Sequence, residues 1–234
     1  MPWYAKPSGG YDPYSVAGIS NIDAFRTAFS TWSVESIAGI LGNVQAESGF
    51  NPWRWQGDRY APSRGYGLFQ FTPASDYLAL SGATPNLSTT EVTTGATAAD
   101  ADRQIMAFRT DELGKWAQSA WRSYWDTTTY ASLYAYRQEC LDTWGHGTGI
   151  SIAEFSECQD VYAATFLFLA CFEGPSVPNI DARNRNARTI YHMLTGDYPE
   201  PPYIPPDPEP PSPTPMPLEN WLIAVLKKMS ERRV

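Results

Sequence analysis

The chain is short of the residues that mark several common enzyme classes. It has two histidines, His146 and His192, and they are not neighbours in sequence. A zinc peptidase or amidase site, built from clustered His, Asp and Glu, has no support from that pair. There are three cysteines, Cys140, Cys158 and Cys171. They form neither a disulfide framework nor a metal-ligand spacing. Cys140 and Cys158 are free to pair or not. Cys171 lies inside an apolar helical run, where a thiol behaves as a small hydrophobe rather than a peptidase nucleophile. Basic charge is also scarce: 17 Lys and Arg face 25 Asp and Glu, a net charge of −8. A nucleic-acid binder would normally present a basic face, so that class is disfavoured. The same balance means no general pull toward an anionic cell wall. No apolar run is long enough to span a bilayer. Residues 1–19 have no charged-then-apolar leader, which predicts synthesis in a cytoplasm and delivery by other means. No internal repeat is present.

What remains is an ordinary globular composition, 43% hydrophobic, over 234 residues. That is enough for one sizeable core plus an appendage. Aromatics reach 14%, with nine Trp, which suits flat sugar surfaces as well as core filling.

The most informative stretch is "SIAGILGNVQAESGFNP", residues 36–52. Ile37, Ile40, Leu41 and Val44 repeat at helical spacing, and Glu47 continues their stripe. Ser33 is a plausible N-cap and Gly49 a plausible stop. Glu47 is thus expected at the last turn, on the edge of the buried face. Desolvation and the negative end of the helix dipole both raise a carboxyl's pKa there, and an acid that keeps its proton can serve as a general acid. The alternative is a Glu that turns outward from a helix end. A second acid repeats the pattern. In "DVYAATFLFLACFEGP", residues 160–175, Tyr162, Phe166 and Leu169 mark a stripe that Glu173 continues just before a Gly-Pro stop. Two such acids suggest two helices that end on one cleft.

The organisation around them reads as follows. Residues 1–19 form an irregular Gly-, Pro- and Tyr-rich arm. Ser20 and Asp23 resemble a capping box opening a first helix, with Ile22, Phe25 and Phe29 on one face. Residues 65–71, "GYGLFQF", alternate like a strand, with Tyr66, Leu68 and Gln70 on one side. Thr72 and Pro73 look like an N-cap and first helical residue before a short helix over 74–80. Residues 81–96 read as a loop. Thr97 and Asp100 suggest another capping box, for a helix to about Leu113. Further helices are expected over 130–143 and 181–195, the last closed by Gly196. Residues 198–217 hold eleven prolines. They predict a polyproline stalk spanning roughly 60 Å at about 3.1 Å per residue. Residues 218–234 place Leu218, Trp221, Leu222, Val225 and Met229 at helical spacing ahead of a basic end. This segment is too short to cross a bilayer and suits docking on a partner protein or self-association, with a membrane surface as the other reading.

"GILGNVQAESGFNPWRWQ" followed by "GYGLFQFTPASDYL" resembles the phage tail lysozyme family, within the lysozyme and lytic transglycosylase superfamily. "ATFLFLACFEGP" resembles the later helix of that family. The resemblance covers residues 20–196 in order. It implies a mainly α (α+β) lysozyme-like fold with a small β-hairpin or sheet beside the cleft. It implies cleavage of the β-1,4 bond between N-acetylmuramic acid and N-acetylglucosamine in peptidoglycan, with Glu47 as catalytic acid and Gln70 and Tyr66 lining the cleft. Phe69, in the same motif, and Trp55 join them as candidate substrate contacts, although a Trp pair such as Trp53 and Trp55 directly after a helix is more often core cover. A second carboxylate would come from Glu173, Asp58 or Asp76, at a spacing that distinguishes retaining from inverting chemistry. A lytic transglycosylase needs the acid alone. Glu173 is equally readable as a structural acid paired with Arg183 or Arg185. No metal or cofactor is implied. The expected division is arm 1–19, catalytic domain 20–197, stalk 198–217 and docking helix 218–234. The expected partners are glycan strands of the bacterial wall and, through 218–234, other tail proteins or a second copy. The expected place of action is the virion tail tip during host entry, or the wall after release as a lysin. The rival expectation is a non-catalytic tail module that keeps the fold to hold glycan or build the tail.

Overall fold

The computed structural model describes residues 3–82, 95–116, 138, 150–175 and 177–197; within the helix that begins at Gly95, side chains are described from Asp100 onward. The predicted helix over 130–143, the stalk, the terminal helix and Cys140 lie outside the described residues, apart from Gln138.

Seven helices are described: α1 (Val16–Ala28), α2 (Val34–Glu47), α3 (Ala74–Ser81), α4 (Gly95–Arg109), α5 (Ile152–Phe155), α6 (Val161–Phe168) and α7 (Ile180–Thr195). The order and spacing fit the expected mainly helical, lysozyme-like architecture. The centre is α2. Its cap is the predicted one: the Ser33 hydroxyl accepts from the Ser36 amide, and Ser36 to Val44 are all buried. Two glycines let neighbours approach closely. A Cβ at Gly39 would sit 2.7 Å from the Ala164 backbone of α6, and one at Gly42 would sit 2.6 Å from the Ala187 Cβ of α7. Any larger side chain would push one of these helices away. Asn43 locks the first seam, donating to the Gly39 carbonyl (2.9 Å) and the Thr165 carbonyl (3.0 Å).

An aromatic cluster fills the space beside α2. Phe69 and Phe108 lie 5.1 Å apart, Phe108 and Phe172 4.9 Å, and Phe168 and Phe172 5.0 Å, mostly tilted or edge-on. These are the preferred geometries for rings with a π quadrupole. Each fully buried Phe contributes about 1.5–3 kcal/mol through burial alone.

Several expectations are corrected. The first helix starts at Val16, not at Ser20, because Ser15 is the working cap: its hydroxyl accepts from the Gly18 amide at 3.0 Å. Ser20 and Asp23 lie within the helix, and Ser20 is buried. The arm ahead of it, from residue 3, is irregular as expected, and it is bound to the core. Asn21 accepts from the Tyr4 amide and donates to the Tyr4 and Phe50 carbonyls, while Asn51 donates to those of Lys6 and Gly9.

The predicted strand over 65–71 is a tight turn. Only isolated bridges form, Trp55 to Tyr66 and Tyr66 to Phe71, and no sheet occurs among the described residues. Gly67 and Gln70 both take positive φ, +82° and +45°, which a strand cannot accommodate. The expected alternation is not kept: the turn packs Tyr66, Leu68, Phe69 and Phe71 all inward and leaves Gln70 half-buried. Thr72 does not cap α3. Its hydroxyl donates back to the Gln70 carbonyl, and Pro73 occupies the cap position. Helix α4 begins at Gly95, so Thr97 is not its cap; it ends at Arg109, short of Leu113, where Asp111 takes φ +49°.

Helix α6 changes pitch before its end. Leu169–Glu173 forms a π-helical turn closed by the Gly174 amide on the Leu169 carbonyl at 2.8 Å. Glu173 therefore does not follow the α spacing expected of it. The extra residue per turn rotates it relative to Phe166 and Leu169. Single π turns within helices are frequent at functional sites.

Candidate active site

A cleft of about 490 Å³ opens where α2 and the π turn end. It is lined by Glu47, Arg54, Gln56, Gln70, Thr72 and Glu173, with Gly57, Gly174 and Pro175 at its edges. The two acids at helix ends thus meet one cavity. Gln70 faces it from the 67–70 turn.

Glu47 is neither isolated nor turned outward. Its side chain is 22% exposed, and its Oε1 accepts from Arg183 Nη2 at 2.5 Å. Arg183 comes from α7 and is 5% exposed. Its other nitrogens are also engaged: Nη1 donates to Asn43 Oδ1 at 2.9 Å and Nε to the Pro178 carbonyl at 3.0 Å. Asn43 thus ties the guanidinium to the α2–α6 seam. The sequence offers Arg183 as a partner of Glu173; it pairs with Glu47 instead, because residue 43 and residue 47 lie one turn apart on the face of α2 that α7 covers.

Glu173 is held differently. Its Oε1 is buried and has no hydrogen-bond partner among the described residues. Burial, reinforced by the nearby Glu47 charge, pushes the Glu173 carboxyl well above the usual carboxylate range, against weaker opposing pulls from Arg183 and Lys115. Glu173 is thus driven to hold a proton.

The remaining candidates are not brought into the cleft. Trp55, Tyr66 and Phe69 are 3%, 0% and 2% exposed and belong to the core. Trp53 is buried beside them. Tyr66 is a structural residue. Its hydroxyl donates to Asp100 Oδ2 at 2.8 Å, and Tyr77 donates to Asp100 Oδ1 at 2.8 Å. Burial beside this acid raises the pKa of both phenols, and burial raises that of Asp100 against the lowering effect of its hydrogen bonds. Gln104 completes the network, bonding Asp100, the Pro52 carbonyl and the Leu68 amide. The network fixes the turn that carries Gln70. Asp100, expected as a helix cap, is its hub. Asp58 is tethered. It accepts from the Gly9 amide at 2.7 Å and lies 3.4 Å from Arg54 Nε, outside the cleft lining. Asp76 is exposed in the first turn of α3. Among the described residues no cluster of three or more His, Cys, Asp or Glu could hold a metal ion.

Gln70 itself is partly committed to the turn. Its Nε2 donates to the Arg54 and Gly67 carbonyls, each at 2.9 Å. Arg54 and Gln56 lie at the end of the motif over residues 39–56, but nothing in its spacing marks them as cleft residues. They reach the cleft because the 51–57 segment folds back, with the Gln56 amide donating to the Gly65 carbonyl.

Comparison with known proteins agrees with this architecture. The phage tail lysozyme family profile matches residues 22–194. Morphogenesis protein 1 of Bacillus phage B103 is 27% identical over 167 residues, covering 70% of this chain and 36% of that protein. The chain therefore spans little more than a third of that relative's length.

Proposed function

The chain belongs to the phage tail lysozyme family, and from that premise we propose that it cleaves the β-1,4 bond between N-acetylmuramic acid and N-acetylglucosamine in bacterial peptidoglycan. Glu47 is the general acid of this reading. The observation that carries it is the placement of the Glu47 carboxyl, half-dry on the wall of an open polar cleft and gripped by a buried arginine. Glycosidic cleavage needs a proton on the leaving oxygen and stabilisation of an oxocarbenium-like transition state. Glu47 lines the cleft with its side chain 22% exposed, and Arg183 fixes its orientation so that the second oxygen is left for substrate. Gln56, Gln70 and Thr72 supply amides and a hydroxyl suited to sugar hydroxyl and N-acetyl groups.

In this reading residues 20–197 are the catalytic domain. The proline-rich segment 198–217 is a spacer, and residues 218–234 attach to another tail protein or a second copy. The place of action is the virion tail during host entry, with release as a lysin as the alternative route.

The test is clearing of a bacterial wall suspension by wild type and Glu47→Gln. Clearing by wild type that the substitution abolishes supports the glycosidase. Mass spectrometry of the soluble fragments then reads the chemistry: 1,6-anhydro ends mean transglycosylation and reducing ends mean hydrolysis.

A second reading has one specific observation in its favour. The relative is named a morphogenesis protein, and a Glu–Arg pair between two helices is also what a purely structural acid makes. A non-catalytic lysozyme-fold tail module predicts no clearing by either protein, whereas clearing that survives Glu47→Gln would remove Glu47 as the acid.

A further inference from the structure

The cleft holds two carboxyl groups, yet its cations serve only one of them directly. Every nitrogen of Arg183 already donates, to Glu47, Asn43 and the Pro178 carbonyl. Lys115 Nζ donates to the Thr72 carbonyl at 2.6 Å. Arg54 lines the same cleft, but its Nε lies 3.4 Å from Asp58. Glu173 is left with a buried oxygen that nothing contacts by hydrogen bond among the described residues. Among the described residues the charged groups around Glu173 are Glu47 from α2, Arg183 from α7, Lys115 from the segment after α4, and Arg54 from the loop after α2.

A second carboxylate beside the Glu47–Arg183 pair would bring an uncompensated negative charge into a partly dry cavity. Two acids so placed do not both ionise near neutral pH; they titrate as a pair. Given Glu47 as general acid, we propose that Glu47 and Glu173 hold one proton between them, and that Glu173 is the positioning residue that keeps that proton at the site for delivery through Glu47. Its Oε1 is buried without a partner among the described residues, so its proton reaches the glycan through its neighbour. The balance over one turnover is closed. The pair gives its proton through Glu47 to the glycosidic oxygen as the C–O bond breaks, and the bonding electrons remain on that oxygen. The anomeric carbon then takes an oxygen from water or from the sugar's own hydroxyl. The proton released by that oxygen returns to the pair.

The raised proton affinity of Glu173 supports the scheme, as does the π turn that brings it to the cleft.

The test is the pH–rate profile of wall clearing for the full chain, as wild type, Glu173→Gln and Glu173→Asp. Gln mimics the protonated form in shape but cannot share its proton. The expected result is an alkaline limb displaced toward acid by about one pH unit or more in Glu173→Gln, with partial return in Glu173→Asp. Profiles of identical shape, differing only in height, would overturn the proposal. Carbon-13 titration of the carboxyl groups in wild type gives a second reading that needs no variant. Two coupled, widely separated steps assigned to Glu47 and Glu173 are expected; ordinary, independent carboxylate titrations of both would overturn it. Failure of the glycosidase reading is separate: it appears as no clearing by wild type or as clearing that survives Glu47→Gln, while the carbon-13 titration still reads the pair.

Discussion

Arg183 and Glu47 meet 2.5 Å apart across the packed faces of α7 and α2, with the arginine almost wholly buried and the acid open to the cleft. The contact joins the fold to the candidate chemistry. Removing the cation strands Asn43 Oδ1, the Pro178 carbonyl and Glu47 together, so Arg183→Met is expected to cost about 3–5 kcal/mol. Glu47→Gln keeps an acceptor for Nη2 and should cost about 1–3 kcal/mol. Urea denaturation of both single variants and the double variant checks the pair. The double variant should lose less than the sum of the singles, and strict additivity would show that the contact carries no coupling.

Stability should depend on pH through Glu173. Its folded carboxyl binds a proton more tightly than the unfolded value of 4.5. Between those two values the native state holds more protons than the unfolded state, so its contribution is fully present below the unfolded value and is lost as pH rises through the folded one. Glu173→Gln removes this dependence. The Tm of the variant minus that of wild type should therefore rise from about pH 5 to about pH 8. A constant difference across that range would refute the assignment. Asp100 has a raised carboxyl too, but it is present in both proteins and cancels in the difference.

Local signals are legible in the sequence and tertiary choices are not. The Ser33 cap and the stop after Glu47 depend on residues a few positions apart, and both occur as read. The convergence of Glu47 and Glu173 follows from two apolar stripes that each end on an acid, although the π turn gives the second stripe a different pitch from the one its spacing suggests. Which acid takes Arg183 depends on how α7 lies on α2, and spacing within one helix carries no such information. The alternation of residues 65–71 suggests a strand, but a turn with positive φ at Gly67 and Gln70 buries Tyr66, Leu68, Phe69 and Phe71 alike, on both sides of that alternation. Tyr66, Phe69 and Trp55 resemble sugar contacts because aromatic residues serve glycan and core equally. The signal for Tyr66 as a core residue is Asp100, 34 positions away, and only the fold connects them.

The thiols give a simple check on the core. Cys158 and Cys171 are free and buried, and burial pushes each thiol up to about 12. Reaction requires the thiolate and access to it, and both are lacking. In a Cys140→Ser variant, the native protein should therefore leave a thiol reagent unreacted at mildly alkaline pH. After denaturation two equivalents should react. Rapid labelling of the native variant would mean that the core around α6 opens far more readily than its packing implies.

Gly67 ties the turn to the site, and replacing it tests whether the Asp100 network positions Gln70. At φ +82° a side chain is strained, and a Cβ there would sit 2.3 Å from the Gln104 Oε1 that accepts from the Leu68 amide. Gly67→Ala must displace Gln104 or the turn, at a cost of about 1–3 kcal/mol for overpacking plus about 1–2 kcal/mol for the left-handed backbone. The turn carries Gln70 three residues on, and the Gly67 carbonyl accepts from Gln70 Nε2. Wall clearing should therefore fall further than the folded fraction measured by circular dichroism at the same temperature. Leu68→Ala is the control. It removes a buried side chain from the same turn without forcing Gln104 aside, and its loss of clearing should track the loss of folded protein. If Gly67→Ala also tracks folded protein alone, the turn stabilises the domain but does not place the residue that faces the cleft.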